Sequence, residues 1–174
     1  MKKWLIRVAV FLVALILAVL IIGAITPVDH HASRTLVTKQ SPQAIWDAIN
    51  DHANEPQWRS DVANVTSLGA RNGQPVWQEN YKDGNKVTLI TTDSKPPNRM
   101  VRELTDLDGP FSGRWEIDIQ PTSTGSNVTI TEIGKVTNPL FRFVSKYIIG
   151  QTTFMTRYLE GLAGKFGEKP HFAN

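Results

Sequence analysis

The chain has 174 residues, a formal charge of +3 and no cysteine, which excludes disulfide bonds, thiolate metal sites and cysteine nucleophiles. Three of the 19 basic residues and no acidic residue precede position 8, so 16 basic and 16 acidic residues remain in the rest of the chain. A neutral remainder without a basic stripe argues against nucleic acid as a partner.

An uncharged, almost wholly apolar segment covers residues 8–25. As a helix it would span about 27 Å, close to the hydrocarbon thickness of a bilayer. Lys2, Lys3 and Arg7 precede it, so the positive-inside rule predicts a cytoplasmic N-terminus and export of everything after Thr26. We therefore predict a single-pass transmembrane anchor over residues 1–27, in the cytoplasmic (inner) membrane, with the following domain on the extracytoplasmic side.

Two other interpretations of this segment are a core helix and a cleavable signal peptide. A core helix would have a polar face, which the segment lacks. A signal peptide has an apolar region of about 7–15 residues followed by a small-x-small cleavage site, which residues 23–27 match poorly. An exported domain without cysteine is typical of a bacterial envelope rather than of a disulfide-linked secreted module.

The exported part divides into three regions. Residues 28–32 are predicted to be a short tether, which reaches only about 17 Å when extended and keeps the domain close to the membrane. Residues 33–167 form one domain, long enough to bury a sizeable core. Residues 168–174 are predicted to be a flexible tail.

Turn signals divide the domain into short elements. Ser41 and Pro42 open a helix as its N-cap and first residue. Asp83 and Gly84 predict a hairpin, and a further turn is predicted at residues 108–110. Strands are predicted over residues 33–39, 62–68, 75–82, 86–92, 99–105, 113–120 and 127–136, and a second short helix over residues 54–59.

A long helical segment is predicted from Pro139 to near Gly167. Its apolar residues recur at spacings of three, four or seven, which predicts one continuous apolar face, and Gly150 divides or kinks it. An antiparallel sheet needs cover on its apolar face, and this helix is the only element long enough. Whether the two enclose a packed core or a cavity decides the function.

Residues 41–46 are Ser-Pro-Gln-Ala-Ile-Trp, Trp58 lies in the second short helix, and Pro139 begins the last one. With the element order, these residues resemble the START-like (SRPBCC) superfamily of helix-grip domains, and most nearly its polyketide cyclase/dehydrase branch, over about residues 33–167. The resemblance implies an α+β fold in which a curved antiparallel sheet of about seven strands wraps around a long C-terminal helix. It also implies that an apolar or amphipathic small molecule binds between sheet and helix. Some similar proteins are enzymes, but no catalytic motif is shared by all of them.

Aromatic and methionine side chains are the candidates for lining a ligand compartment, because such pockets are mostly apolar with a few polar groups. The alternative is that these side chains fill the core. The six candidates are Trp77, Tyr81, Met100, Phe154, Met155 and Tyr158.

Acid–base chemistry would require a carboxylate inside that compartment, beside a second polar group. The candidates are Glu79, Glu103 and Glu132, all in predicted strands. No metal site is predicted, because His30 and His31 are adjacent and no carboxylate-rich cluster joins them. No glycine-rich phosphate loop is visible, and no cofactor is predicted.

Three functional hypotheses follow. The first is a membrane-anchored extracytoplasmic module that binds a hydrophobic or amphipathic small molecule, such as a lipid or an envelope metabolite. The second is a cyclase- or dehydratase-type enzyme that uses a carboxylate in the compartment. The third is a protein-interaction module with no ligand. The expected partners are the small molecule and the membrane, and not nucleic acid.

Overall fold

The computed structural model describes residues 2–105 and 111–173, so the turn predicted at residues 108–110 lies outside the described part. In chain order the elements are α1 (Lys2–Ile25), β1 (Asp29–Thr38), α2 (Pro42–Asn50), a short 3-10 helix (Glu55–Gln57), β2 (Val62–Arg71), β3 (Gln74–Tyr81), β4 (Lys86–Lys95), β5 (Arg99–Leu104), β6 (Phe111–Thr122), β7 (Gly125–Val136), α3 (Pro139–Phe143), a π-helix (Val144–Ile149), α4 (Thr153–Lys165) and β8 (His171–Phe172).

The strands form one antiparallel sheet in the order β2-β3-β4-β5-β6-β7-β1-β8. Strands β2 to β7 follow one another as a meander, and β1 closes the arrangement by pairing with β7. Along β6, Trp115, Ile117 and Ile119 alternate with polar residues, and the last two are buried. This alternation confirms the prediction from the sequence and defines the inner face of the sheet.

Helix α4 covers the inner face. Met155, Leu159 and Leu162 are fully buried in one core cluster with Ile117 and Ile130 of the sheet. Burying a side chain of this size stabilises the fold by about 1.5–3 kcal/mol relative to leaving it exposed. The arrangement of a large antiparallel sheet against a C-terminal helix confirms the predicted α+β helix-grip fold.

Helix α2 begins as its sequence predicts. The Ser41 side chain accepts a hydrogen bond from the backbone N–H of Ala44, and Pro42 occupies the first turn. Ile45 and Ile49, four residues apart, are both buried against the sheet and α4. The helix thereby positions the segment after it, which contributes most of the candidate site.

Helix α1 is apolar on all sides, and nearly all its side chains are exposed. Of the described residues, only this helix is long and apolar enough to cross a membrane. A core helix would be buried within the domain, so its exposure argues against that interpretation. Its last turn contacts α3, where Arg142 donates a hydrogen bond to the backbone carbonyl of Thr26 at 3.0 Å.

The predicted tether and the predicted flexible tail are both wrong. Residues 29–32 belong to β1 and pair with β7, from Asp29 opposite Lys135 to Ala32 opposite Glu132. Residues 171–172 form β8 on the free edge of β1, and before them Glu168 accepts hydrogen bonds from Thr38 and Gln40. Both segments are ordered by pairing with residues distant in sequence, which local composition does not reveal.

The predicted continuous apolar face of residues 139–167 is also wrong. Gly150 does divide the segment, at a φ of 90° that ends the π-helix. Within this segment, only residues after Gly150 belong to the buried core cluster. Before it, Leu140 and Ile148 are exposed although they share the same helical spacing.

Candidate functional site

The candidate site lies on the inner face of β3, where alternate side chains point towards α2 and α4. The Trp77 ring packs on His52, with ring centroids 4.0 Å apart. Glu79 is buried, and Tyr81 is half-buried with its hydroxyl inside the protein. The structure therefore brings together three of the residues that the sequence proposed for this compartment.

Arg59 connects these strand residues to the segment after α2. Its Nη1 lies 2.9 Å from Glu79 Oε1 and 2.5 Å from Glu55 Oε1, and its Nη2 donates to the Tyr81 hydroxyl at 2.9 Å. The Tyr81 hydroxyl in turn donates to Glu79 Oε2 at 2.6 Å. His52 Nδ1 is 3.1 Å from Glu55 Oε2. We refer to His52, Glu55, Arg59, Glu79 and Tyr81 as the inner polar cluster.

Local structure brings Glu55 and Arg59 together. The 3-10 helix turns the chain so that the Arg59 backbone N–H donates to the Glu55 carbonyl at 2.9 Å, and the two side chains lie on the same side. Helix α4 approaches this turn closely at Gly161, where a Cβ atom would collide with the carbonyl oxygen of Trp58. The cluster is thus held between β3 and α4.

Within the cluster, pKa shifts keep Glu55 and Arg59 charged and Tyr81 neutral. Burial raises the pKa of Glu55, but the hydrogen bond from His52 and the charge of Arg59 outweigh it and hold that pKa below its usual value. Burial acts to lower the pKa of Arg59, but the charge of Glu79 raises it above the usual value. Burial and the Glu79 charge both raise the pKa of Tyr81, so its hydroxyl remains a donor.

Tyr158 of α4 lies over this wall. Its ring is 5.2 Å from the Arg59 guanidinium and packs edge-on against Trp58 and Trp115. Burial raises the pKa of its hydroxyl well above the usual value, so the hydroxyl keeps its proton. Among the described residues neither this hydroxyl nor Trp58 Nε1 has a hydrogen-bond partner, although both are buried. Such orphaned donors are uncommon in protein interiors and need an acceptor.

A second arginine extends the polar wall. Arg102, on the inner face of β5, is buried and donates from Nη2 to the Ile49 carbonyl at 2.8 Å. Its Nε lies 3.1 Å from Met100 Sδ. The charge of Arg102 contributes to lowering the pKa of Glu55 and acts on the Tyr158 hydroxyl in the same direction.

The described part of the domain has two clefts of similar size. One, of about 350 Å³, opens beside the cluster and is lined by residues that include His52, Trp77, Thr91 and Met100. The other, also of about 350 Å³, is lined by residues of β1, β6 and β7, among them His30.

Near the second cleft, a predicted catalytic candidate has polar neighbours. Glu132 Oε1 lies 2.6 Å from His30 Nε2, and its Oε2 accepts a hydrogen bond from Trp115 Nε1 at 2.8 Å. Because Glu132 pairs across the strands with Trp115, it shares the inner face. Both Glu79 and Glu132 therefore lie beside a second polar group, as an acid–base role would require.

The other predicted site residues have different positions. Met155 is fully buried in the core, and Met100 is a core residue that also borders the first cleft. Phe154 is 55 % exposed, because it lies in the first turn of α4, outside the buried core cluster to which Met155 and Tyr158 belong. The hypothesis of an inward carboxylate at Glu103 is wrong. Its neighbour Arg102 faces inward, so in an alternating strand Glu103 faces out, and among the described residues it accepts only a long hydrogen bond from Thr92.

Four residues of the wall were missed from the sequence: His52, Glu55, Arg59 and Arg102. A signal existed for three of them, because His52, Glu55 and Arg59 follow one another at spacings of three and four, which brings side chains together on one turn. Arg102 has no such signal, since it alternates with Glu103 in a strand whose two faces look equally polar.

A sheet that packs against a C-terminal helix, with polar groups on the wall between them, defines a helix-grip protein. The profile of the family described as "Polyketide cyclase / dehydrase and lipid transport" matches residues 29–167, and the chain belongs to this family. The match begins at the first residue of β1, in agreement with the corrected start of the domain. A search of curated proteins found no match.

Solved structures share the fold at low identity. A START superfamily protein from Mycobacterium smegmatis is 19% identical, with a TM-score of 0.60 over 78% of this chain and 96% of that one. A Thermobifida fusca protein is 18% identical, with a TM-score of 0.60 over 83% and 99%. The di-domain ARO/CYC StfQ from the steffimycin biosynthetic pathway is 11% identical, with a TM-score of 0.60 over 79% of this chain but only 50% of that one. At these identities the similarity shows the fold alone.

Proposed function

We propose that the chain is a membrane-anchored module that binds a hydrophobic or amphipathic small molecule, a lipid or an envelope metabolite, on the extracytoplasmic side. Three features support the proposal: the family, the exposed apolar helix α1, and the inner wall beneath α4. The binding part rests chiefly on one observation, the orphaned donors of Tyr158 and Trp58 on a wall of aromatic and methionine side chains.

The chemistry of the wall favours a ligand with an oxygen-bearing polar group. The Tyr158 hydroxyl and Trp58 Nε1 offer hydrogen-bond donors, and Arg102 adds a positive charge. Trp77 and Met100, beside the first cleft, offer apolar contact for the remainder of the molecule. A few convergent polar groups within an apolar lining are typical of small-molecule sites.

A second candidate function is an enzyme of the cyclase or dehydratase type, and the Glu132–His30 pair favours it. In this pair a carboxylate and an imidazole are 2.6 Å apart and neither side chain is fully buried. Such a pair can pass a proton to or from a bound molecule. Glu79 is less suited to this role, because Arg59 and Tyr81 already occupy its two oxygens.

Ligand binding is tested with a variant whose side chain fills the first cleft. Thr91→Phe places a ring in the cleft, whereas Thr66→Phe makes the same change on exposed β2. The wild-type full chain and both variants are purified in polymer-bounded discs of native membrane, and their organic extracts are compared by mass spectrometry. We expect at least one species to be enriched in the wild type and in Thr66→Phe but depleted in Thr91→Phe. Identical extracts from all three would overturn the binding function and leave the interaction-module hypothesis.

The side of the membrane on which the domain lies is tested with single-cysteine variants, because the chain has no cysteine of its own. Leu68→Cys lies on the exposed part of β2, and Lys3→Cys lies before the apolar segment. We expect a membrane-impermeant maleimide to label Leu68→Cys in intact spheroplasts and Lys3→Cys only after lysis. The reverse pattern would place the domain in the cytoplasm, and loss of the labelled protein from the membrane fraction would indicate a cleaved signal peptide.

A further inference from the structure

Beside α1 the domain carries a cluster of exposed apolar side chains. They lie on α3, on the π-helix and at the start of α4, and their exposed fractions range from 40% to 68%. We call them the aromatic patch: Leu140, Phe141, Tyr147, Ile148, Ile149 and Phe154. Isolated exposed apolar residues are ordinary, but a contiguous group of this size marks a binding surface.

The patch is continuous with the end of α1. Helix α3 packs on Gly23, where a Cβ atom would collide with the carbonyl oxygen of Pro139. Arg142 holds the same junction through its hydrogen bond to the Thr26 carbonyl. The patch therefore starts at the point where the apolar surface of α1 ends.

The charges within the segment that carries the patch have one sign. Residues 136–159 contain no aspartate or glutamate, and their charged residues are Arg142, Lys146 and Arg157. Lys146 is exposed and lies over the Tyr147 ring at 5.4 Å. Aromatic and aliphatic side chains flanked by basic residues are typical of segments that lie in the headgroup region of a membrane with anionic lipids.

The local backbone presents these side chains outward. Asn138 caps α3 by accepting hydrogen bonds from the N–H groups of Leu140 and Phe141. The chain then widens into a π-helix, which Gly150 ends. π-Helical turns occur frequently at functional sites.

We propose that the aromatic patch inserts into the headgroup region of the bilayer next to α1, with an anionic lipid surface as its partner. The domain then lies against the membrane along this edge instead of hanging freely from its anchor. Phe111 extends the contact, because its ring packs on Phe141 at 5.3 Å. The proposal rests on the proposed anchoring role of α1.

Fluorescence quenching in vesicles tests the proposal on the full chain. Single-cysteine variants carrying bimane are reconstituted into phosphatidylcholine–phosphatidylglycerol vesicles with a doxyl lipid labelled either near the headgroup or deep in the tail. The variants are Ile148→Cys in the patch, Leu15→Cys in α1 and Leu68→Cys on distant β2, and all three positions are exposed. Since interfacial side chains enter only about 5–10 Å, we expect the shallow quencher to lower Ile148→Cys fluorescence about twofold and the deep quencher to affect it less.

The two reference positions separate the possible failures. Strong deep quenching at Leu15→Cys and no quenching at Leu68→Cys are expected. If Leu15→Cys is quenched and Ile148→Cys is not, the patch contacts something other than lipid and the inference is overturned while the anchor stands. If Leu15→Cys is not quenched, the anchor itself is wrong. Equal quenching at Ile148→Cys and Leu68→Cys would show non-specific adsorption and would also overturn the inference.

Discussion

Arg59 and Arg99 lie on opposite sides of the sheet, and each makes ion pairs of 2.9 Å or less with two carboxylates. On the inner side, Arg59 contacts Glu55 and Glu79 and all three side chains are buried. On the outer side, Arg99 makes a similar set of contacts with carboxylates of β6, at 2.7 Å each, but remains partly open to solvent. The two sites have the same chemistry in different dielectric surroundings.

The difference in burial changes what each arginine does. In water the gain from an ion pair is nearly offset by solvation of the separate charges, so the Arg99 set contributes little. Inside the protein, water does not solvate the carboxylates around Arg59. Without the arginine they would be uncompensated buried charges, which would destabilise the fold. The inner polar cluster is therefore a structural support of the wall as well as a candidate part of the site.

The largest expected effect is on stability. Arg59→Met leaves Glu55 and Glu79 buried without their cation, and we expect a loss of about 3–5 kcal/mol in the free energy of unfolding. Arg99→Met is the matched control, and its loss should stay below about 1 kcal/mol. The measurement is urea unfolding of the full chain in non-ionic detergent micelles, followed by tryptophan fluorescence.

Repeating the unfolding experiment at high salt gives a second comparison of the two arginine variants. Because mobile ions screen exposed charges more than buried ones, high salt should reduce the effect of Arg99→Met and leave that of Arg59→Met nearly unchanged. Equal losses for the two variants, at either salt concentration, would mean that burial does not separate the two sites.

The sequence predicts the local features of the fold and fails where distant residues decide. The helix cap at Ser41 and Pro42, the hairpin at Asp83-Gly84 and the alternation of β6 each depend on a few neighbouring residues, and the structure confirms them. The pairing of residues 29–32 with β7 depends on a strand about 100 positions later, so a short polar stretch was interpreted as a tether.

The aromatic patch shows a different limit. Leu140 and Ile148 belong to the same helical apolar pattern as Leu159 and Leu162, yet only the latter pair is buried. A helical period of apolar residues predicts that one face of the helix is buried away from water. That face can be buried in a bilayer as well as in a protein core. The clue that separates the two halves is charge, because the exposed half has basic residues and no acidic ones.

The sequence predicts the strand residues of the candidate site but not their partners, because the partners come from a distant segment. Trp77, Glu79 and Tyr81 all lie in one strand that the sequence predicts, and alternation along that strand places them on one face. Their partners Glu55 and Arg59 come from a different segment, and only the tertiary fold brings the two segments into contact.

The smaller expected effect concerns pH and again compares the two sides of the sheet. The pKa of Glu55 is held below its usual value in the folded state, so its contribution to stability is complete above the unfolded pKa of about 4.3 and is lost as the pH falls through the folded value. Glu55→Gln should therefore flatten the decline in the free energy of unfolding below pH 5.

Glu116 provides the control on the outer side. Hydrogen bonds from Arg99 and Arg114 lower its pKa as well. Glu116→Gln should therefore also flatten the decline in the free energy of unfolding below pH 5, but by less, because both partners are partly open to solvent. The same urea unfolding, repeated from pH 5 to pH 3 at low and high salt, measures both slopes. High salt should abolish the contribution of Glu116 and preserve that of Glu55, since only the outer carboxylate is open to screening. A wild-type slope in Glu55→Gln would mean that the inner carboxylate is not ionised in the folded protein, and the view of the wall as a charged cluster held together by Arg59 would then be wrong.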